Sequence, residues 1–367
     1  MADFRINKAK ETMTSRERVR KTFEYEKTDR VTIGYEANHF INQKFLKALG
    51  IKAEDLWQAI GWDYVGVKPV YTGKELFKEI EDRVVHEEYG FVTRWVGNSS
   101  GGGYMDFCDF PLKDADDETI MNFPVPDPDD YDYDIVGEKI AKNRNLGIYI
   151  GDPGFGDVVN SIGMIMSMED AIVNIYQEHE PTLHLIKKRA NWKLGMLERI
   201  LTKYKGEIDF MWLGEDLGTQ IAPMMSMEQY RKVIKPFHML FIDLAKAHNV
   251  PTLIHTCGSS SWVYEEFIEM GMSGVDTLQP EAINMTPKYL ADNFGGRLNF
   301  RGCISTAGAL TYGTAEDVTA VCKETLETMM PHRGYHFAPT HLLQDNTPVE
   351  NIVAMYQAAH DFGVYAG

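Results

Sequence analysis

The sequence predicts an α/β protein built as a single (β/α)8 barrel, and three observations carry that expectation. Short apolar runs alternate with helical stretches along nearly the whole chain. No Gly-x-Gly-x-x-Gly turn follows the first run, which argues against a doubly wound open sheet. Polar residues gather after many of the runs rather than at one switch point, as they do where strand ends meet on one barrel rim. The expected domain spans residues 1–367, with a helical extension at the start and a loop or small-sheet insertion over about 84–135.

Taken in order, Thr14-Ser15-Arg16-Glu17 reads as a capping box that opens a surface helix running to Tyr25. Arg30 to Tyr35 is the first strand, Phe40 to Leu49 a helix closed by Gly50, Asp55 to Ile60 another helix, and Asp63 to Val67 the second strand. Val84 to Val96 and Tyr104 to Phe107 predict a hairpin or small added sheet, joined by a mobile connection from Asn98 to Gly103. The three glycines of that connection are no phosphate loop, because no Lys-Ser or Lys-Thr follows them. Lys113 to Asp134 is acidic, carries Pro124, Pro126 and Pro128, and reads as a surface excursion around a short helix. From Leu146 the alternation is regular: strands at Gly147–Gly151, Asp209–Gly214, Val250–Ile254, Gly274–Leu278, Leu298–Arg301 and Tyr335–Ala338. Helices separate them, near Met168–Glu178, at Pro181–Tyr204, at Ser226–His248 with an interruption at Pro236, and at Trp262–Met270, Thr286–Asn293, Ala315–Met330 and Pro348–Phe362.

Composition narrows the function. Against 54 Asp and Glu stand 37 Lys and Arg, a net charge of -17 that repels nucleic acid and anionic lipid. No apolar run approaches the ~20 residues of a membrane span. Four scattered cysteines and a start unlike a signal peptide predict a reducing cytoplasm. Met164, Met166 and Met168, with Met224, Met225 and Met227, form groups that suit core filling and also suit an adaptable pocket wall.

The candidate site residues are those that follow strands: Asp152, Glu215 with Asp216, His255 with Cys257, Gln279, Arg301 with Cys303, and His341. Any one of them alone can be a structural hydrogen-bonding group; together they point to a site on one rim. His255 and Cys257 stand two apart at the end of an apolar run, so they project from one face and can reach one ion. An imidazole and a thiolate suit zinc. The alternative is a hydrogen-bonded strand-end histidine beside a small core cysteine.

Four stretches carry a family resemblance: Thr14 to Val19, Gly214-Glu215-Asp216-Leu217-Gly218-Thr219-Gln220, His255-Thr256-Cys257-Gly258, and Ala338 to Asn351 with its Thr347-Pro348-Val349-Glu350-Asn351 run. In these the chain resembles the uroporphyrinogen decarboxylase-like superfamily, and within it the corrinoid-dependent methyltransferase branch. The resemblance implies a zinc site of His255, Cys257 and His341, the last standing where thiol-methylating relatives have cysteine, with Cys303 and Glu215 as reserve ligands. It also implies catalytic roles for Glu215, Asp216 and His255, and substrate contacts from Asp152, Gln279, Arg301 and Asp63, the last as counterpart of the decarboxylases' catalytic aspartate. Decarboxylases carry arginines after the first strand, where this chain has Gly34 to Phe40 with Glu36 and no arginine. One thiolate with two imidazoles leaves a zinc site about one unit more positive than two thiolates do, which suits pulling electrons from an ether oxygen. The implied activity is therefore removal of a methyl group from a small methoxylated, aromatic substrate. The acceptor would be cobalt(I) of a corrinoid on a separate protein, since no Asp-x-His-x-x-Gly corrinoid motif is present. The other readings are methyl transfer from a methylcorrinoid to a thiol, uroporphyrinogen-type decarboxylation, and a non-catalytic small-molecule binding barrel.

Overall fold

A computed structural model describes residues 4–99 and 102–365. Eight strands form its central sheet: β1 (Thr32–Ile33), β2 (Tyr64–Gly66), β3 (Gly147–Gly151), β4 (Phe210–Gly214), β5 (Thr252–His255), β6 (Gly274–Thr277), β7 (Asn299–Ser305) and β8 (Tyr335–Thr340). Their order around the sheet is β1-β8-β7-β6-β5-β4-β3-β2 and every pairing is parallel. The two ends of that order, β1 and β2, are joined through Asp63. Its N–H donates to the Ile33 carbonyl at 2.9 Å, and its carboxylate accepts the Ile33 N–H at 2.7 Å. The backbone and side chain of Asp63 thus complete the ring of the expected (β/α)8 barrel, in which β1 and β2 are shorter than the sequence predicts.

Asp63 precedes β2, so it lies at the amino-terminal end of the barrel, opposite the rim that carries His255, and not where the substrate contact implied by the resemblance would need it. Arg18 and Arg30 both bind its carboxylate there, and all three side chains are buried. Arg18 belongs to the opening helix, Ser15–Phe23, whose capping box of Thr14 and Glu17 is formed as expected. The same helix sends Val19 and Phe23 against Tyr64, Phe210, Trp212 and Leu253, closing this end with apolar side chains.

Removing Asp63 should therefore damage stability. Asp63→Ala would leave two buried guanidinium groups short of a partner and open the β1–β2 junction, a loss of about 3–5 kcal/mol. Burial opposes ionisation of Asp63 and Asp29, but their arginines outweigh it; both are held low, Asp29 at about 2. Carboxylates depressed on folding contribute fully above the unfolded value of about 3.9 and lose that contribution as pH falls below it. Urea unfolding between pH 7 and pH 2 should show stability falling below about pH 4, with a shallower fall in Asp63→Ala. A loss under about 1 kcal/mol at pH 7 would remove the junction role.

Between β2 and β3 the chain makes the small added sheet that was one of the two expectations, antiparallel and three-stranded: Val84–Val85, Val92–Gly97 and Gly103–Cys108. Of the connection expected to be mobile, Ser100 and Gly101 lie outside the described residues. The sheet reaches the barrel rim: Asn98 Nδ2 donates to Asp345 at 2.9 Å and Trp95 meets Phe40 at 5.4 Å between rings. The acidic excursion holds the short helix Asp117–Met121, and a helix at Asp134–Lys142 follows that the proline-rich pattern conceals. The interruption expected at Pro236 is a wider π-type turn over Tyr230–Ile234, immediately before the helix Lys235–Ala247.

Candidate metal centre

Parallel strands all end on one rim, and there His255, the last residue of β5, meets Cys257 and His341. Among the described residues this group of three has its ligand atoms within 4.8 Å of one another. His255 Nε2 is 3.3 Å from Cys257 Sγ, and the two imidazole rings lie 5.7 Å apart. His255 is buried, Cys257 half-buried and His341 exposed, so the group opens toward solvent on one side. The turn that presents Cys257 depends on Gly258 at φ +68°, where a side chain would meet the Gly218 and Thr219 carbonyls.

Behind His255 stands a row of register partners: His255 beside Asp276 of β6, and Asp276 beside Arg301 of β7. His255 Nδ1 lies 2.8 Å from the Asp276 carboxylate, and Arg301 Nη1 donates to Asp276 at 2.6 Å. Arg301 Nε also donates to the Tyr64 hydroxyl at 2.7 Å, and its guanidinium lies 4.4 Å from the centre of the Trp212 ring. Its Nη2 is 3.0 Å from Glu36 Oε2, an ion pair without hydrogen-bond alignment. Thr277, at φ +81° where a β-branched residue is strained, sets its hydroxyl beside His255 Nδ1. With Nδ1 engaged by a carboxylate, Nε2 is the nitrogen left to bind an ion, an arrangement common to metal-ligating histidines.

Electrostatics follow the same row. Burial alone lowers the His255 pKa, but hydrogen bonds to Asp276 and Cys257 outweigh it and hold the value well above the usual range. Burial opposes the Asp276 charge, yet Arg301 and His255 keep that carboxylate far below its ordinary value. Burial pushes the Cys257 thiol up, and pulls His341 down with help from the charge of His255.

The donor set fits zinc. A tetrahedral ion holds nitrogen and sulfur donors about 3.5 Å apart, close to the His255–Cys257 distance, and His341 needs to close only a short gap. Two imidazoles and a thiolate leave one position free, as catalytic rather than structural zinc requires.

The other sequence-predicted residues fall into different places. Asp216 borders the group: its carboxylate accepts the Cys257 N–H and the Asn160 amide, each at 2.9 Å, and His255 helps hold its pKa down against burial. Glu215 is fully buried and accepts the Val158 and Val159 N–H groups, pinning the start of the helix Val159–Met166. Burial pushes it to about 7. Gln279 accepts the Gly258 N–H at 2.7 Å and so shapes the ligand turn. Arg301 is buried and fastens Asp276. Asp152 is exposed and accepts the Gly154 N–H. Cys303 is buried outside the group, its thiol raised by burial. Asp276 was missed by sequence reasoning; the signal was a carboxylate inside the apolar run Gly274–Leu278.

Comparison with known proteins bears on the fold. Residues 211–362 match the family model described as uroporphyrinogen decarboxylase (URO-D), a stretch that includes all three donors. That carboxyl-terminal stretch is similar to uroporphyrinogen decarboxylase. Among solved structures, a methyltransferase from Methanosarcina mazei shares 16% identity at a TM-score of 0.68, covering 95% of this chain and 99% of that one. At such identity the likeness speaks for the fold alone. A xylanase 10B from Thermotoga maritima matches at 10% identity and TM-score 0.43, over 95% of this chain and 98% of its own. No curated protein matches the sequence. Among the described residues no helix is long and apolar enough to cross a membrane.

Proposed function

We propose that this chain is a methyltransferase that takes a methyl group from a small methoxylated, aromatic substrate and passes it to cobalt(I) of a corrinoid held by a separate protein. The observation that carries the reading is the His255, Cys257 and His341 group on the open rim, supported by the fold shared with the Methanosarcina mazei methyltransferase. The C–O bond breaks with its electron pair on oxygen, the carbon bonds to cobalt, which becomes formally cobalt(III), and the released oxygen takes up a proton. His255, Cys257 and His341 would hold a zinc ion, which would supply Lewis acidity toward the ether oxygen. Asp276 and Arg301 fix the tautomer and angle of His255. Asp216 holds the Cys257 backbone and, kept ionised at the edge of the group, can orient a water for the final protonation. Glu215 acts as a positioning residue, because both its oxygens are occupied at the start of a helix.

Around the rim, Ile221, Ile283, Tyr312 and Trp95 are 74%, 50%, 78% and 52% exposed. Apolar side chains of this size on the strand-following loops and the inserted sheet suit a protein partner that covers the opening. A cytoplasmic setting keeps Cys257 reduced. Decarboxylation of a polyanionic tetrapyrrole is disfavoured by Glu36, which stands near the same rim, and by Arg301, which is committed to Asp276.

The test is spectroscopic. The chain mixed with a reduced corrinoid protein and a methoxylated aromatic should convert the cobalt(I) spectrum to that of methylcobalt(III). Demethylation by the chain alone, at the same rate with and without corrinoid, would refute the scheme.

A further inference from the structure

Arg301 stands between two carboxyl groups at the barrel mouth and serves them unequally. Its Nη1 makes an aligned hydrogen bond of 2.6 Å to Asp276, while its buried Nη2 lies 3.0 Å from Glu36 Oε2 without making one. Asp276 also has His255 on its other side, and the two cationic partners hold it ionised. Among the described residues Glu36 has Arg301 as its one ion-pair partner, already engaged elsewhere. One guanidinium offsets one carboxylate, so of this pair Glu36 is the group that keeps a proton. Burial works in the same direction and raises its pKa against the pull of Arg301.

Its place matters as much as its charge. Glu36 follows β1, and β1 is the neighbour of β8, the strand that delivers His341. The two extensions stay paired beyond the strands: the Leu343 N–H, two residues past His341, donates to the Glu36 carbonyl at 2.9 Å, and Ala37 bridges to Leu343. On its other side, Glu36 reaches His255 through Arg301 and Asp276. It thus borders the metal centre between two of the three donors. Its side chain is 22% exposed, so it is covered by Arg301 yet open to solvent at the rim. The other carboxyl groups near the centre lack this combination. Asp216 is held low, and Glu215 is fully buried with both oxygens taken by the Val158 and Val159 N–H groups.

We propose that Glu36 is the general acid of the reaction, giving its proton to the oxygen released as the methyl group leaves, directly or through the water that Asp216 orients. This rests on the demethylase reading above. The C–O bond breaks with its electron pair on oxygen, the carbon bonds to cobalt(I), and the Glu36 O–H bond breaks as the O–H bond of the product forms. Arg301 Nη2, the donor without an aligned acceptor, then stands beside the carboxylate that remains. Solvent at the exposed side of Glu36 returns the proton. Asp216, being ionised, orients a water but is no source of a proton, so the two acids have different tasks.

A general acid is tested by varying the leaving group. Single-turnover methyl transfer to a reduced corrinoid protein is measured with para-nitroanisole, whose phenolate leaves readily, and para-methylanisole, whose phenolate needs the proton. Glu36→Gln copies the shape and charge of the protonated acid but has no proton to give. It should slow para-methylanisole at least about 100-fold and para-nitroanisole less than about five-fold. Glu36→Asp, which keeps an acid on a shorter stem, should slow para-methylanisole less than Glu36→Gln does and still more than it slows para-nitroanisole, and it carries the test if Glu36→Gln fails to fold. Equal slowing of both ethers, which a structural role would give, or no slowing of either, overturns the proposal while the parent's activity leaves the demethylase reading standing. A parent chain that methylates the corrinoid with no ether overturns that reading and the proposal with it.

Discussion

Cys257→Ala is expected to empty the metal centre and abolish methyl transfer together. The thiol is the only donor of the three that becomes anionic, and it lies 3.3 Å from the nitrogen of His255 that the Asp276 interaction leaves free. With it gone, an ion would be left to one buried and one exposed imidazole, too few for a stable zinc site. Asp276→Asn provides the scale: it keeps the ligands but weakens the grip on His255, and loss of such a supporting partner typically costs about 10–100-fold in metal affinity. The cysteine variant should lose more than that, while its thermal midpoint with metal removed stays near that of metal-free parent, since Cys257 is half-buried at a turn. Elemental analysis of chains purified without chelator measures the first effect, and single-turnover methyl transfer the second. A full equivalent of zinc in Cys257→Ala would sink the assignment of the centre.

The barrel was legible because its signal is local. Apolar runs alternate with helices, and polar residues follow the runs, so a reader of the sequence can place Asp216, His255, Cys257 and His341 after their strands without knowing which strands pair. His255 and Cys257 were legible as a pair because their relation is intrastrand spacing. Asp276 was not, because its role depends on the register of β6 beside β5, and register between separate strands is set by packing. Asp63 misled for a different reason: its substrate role was carried over from the resemblance, although it already stood at the start of its predicted strand, the end of the barrel away from the rim. Arg301 and Gln279 follow the logic of Asp276, since both touch the site through a neighbour. Glu36 was legible as a departure from the decarboxylases' arginines, but its pairing with Arg301 shows only in the fold.

His341 decides what kind of metal centre this is, and replacing it should separate metal binding from ether cleavage. It follows β8 directly at φ +59°, exposed on the open side of the group, so it is the donor most easily exchanged without disturbing the barrel. His341→Ala should weaken metal binding and abolish demethylation. His341→Cys should retain about one zinc, because two thiolates and one imidazole still fill three positions. That set carries one more negative charge than the parent set, and a less positive centre draws electrons less strongly from an ether oxygen. Cleavage should therefore slow by at least about ten-fold, equivalent to roughly 1.4 kcal/mol in the barrier, while zinc content and folding remain those of the parent. If both variants hold zinc as the parent does and differ only in substrate affinity, His341 is a pocket residue rather than a ligand. If His341→Cys holds zinc and cleaves the ether at the parental rate, the charge argument fails and the direction of methyl transfer loses its electrostatic basis.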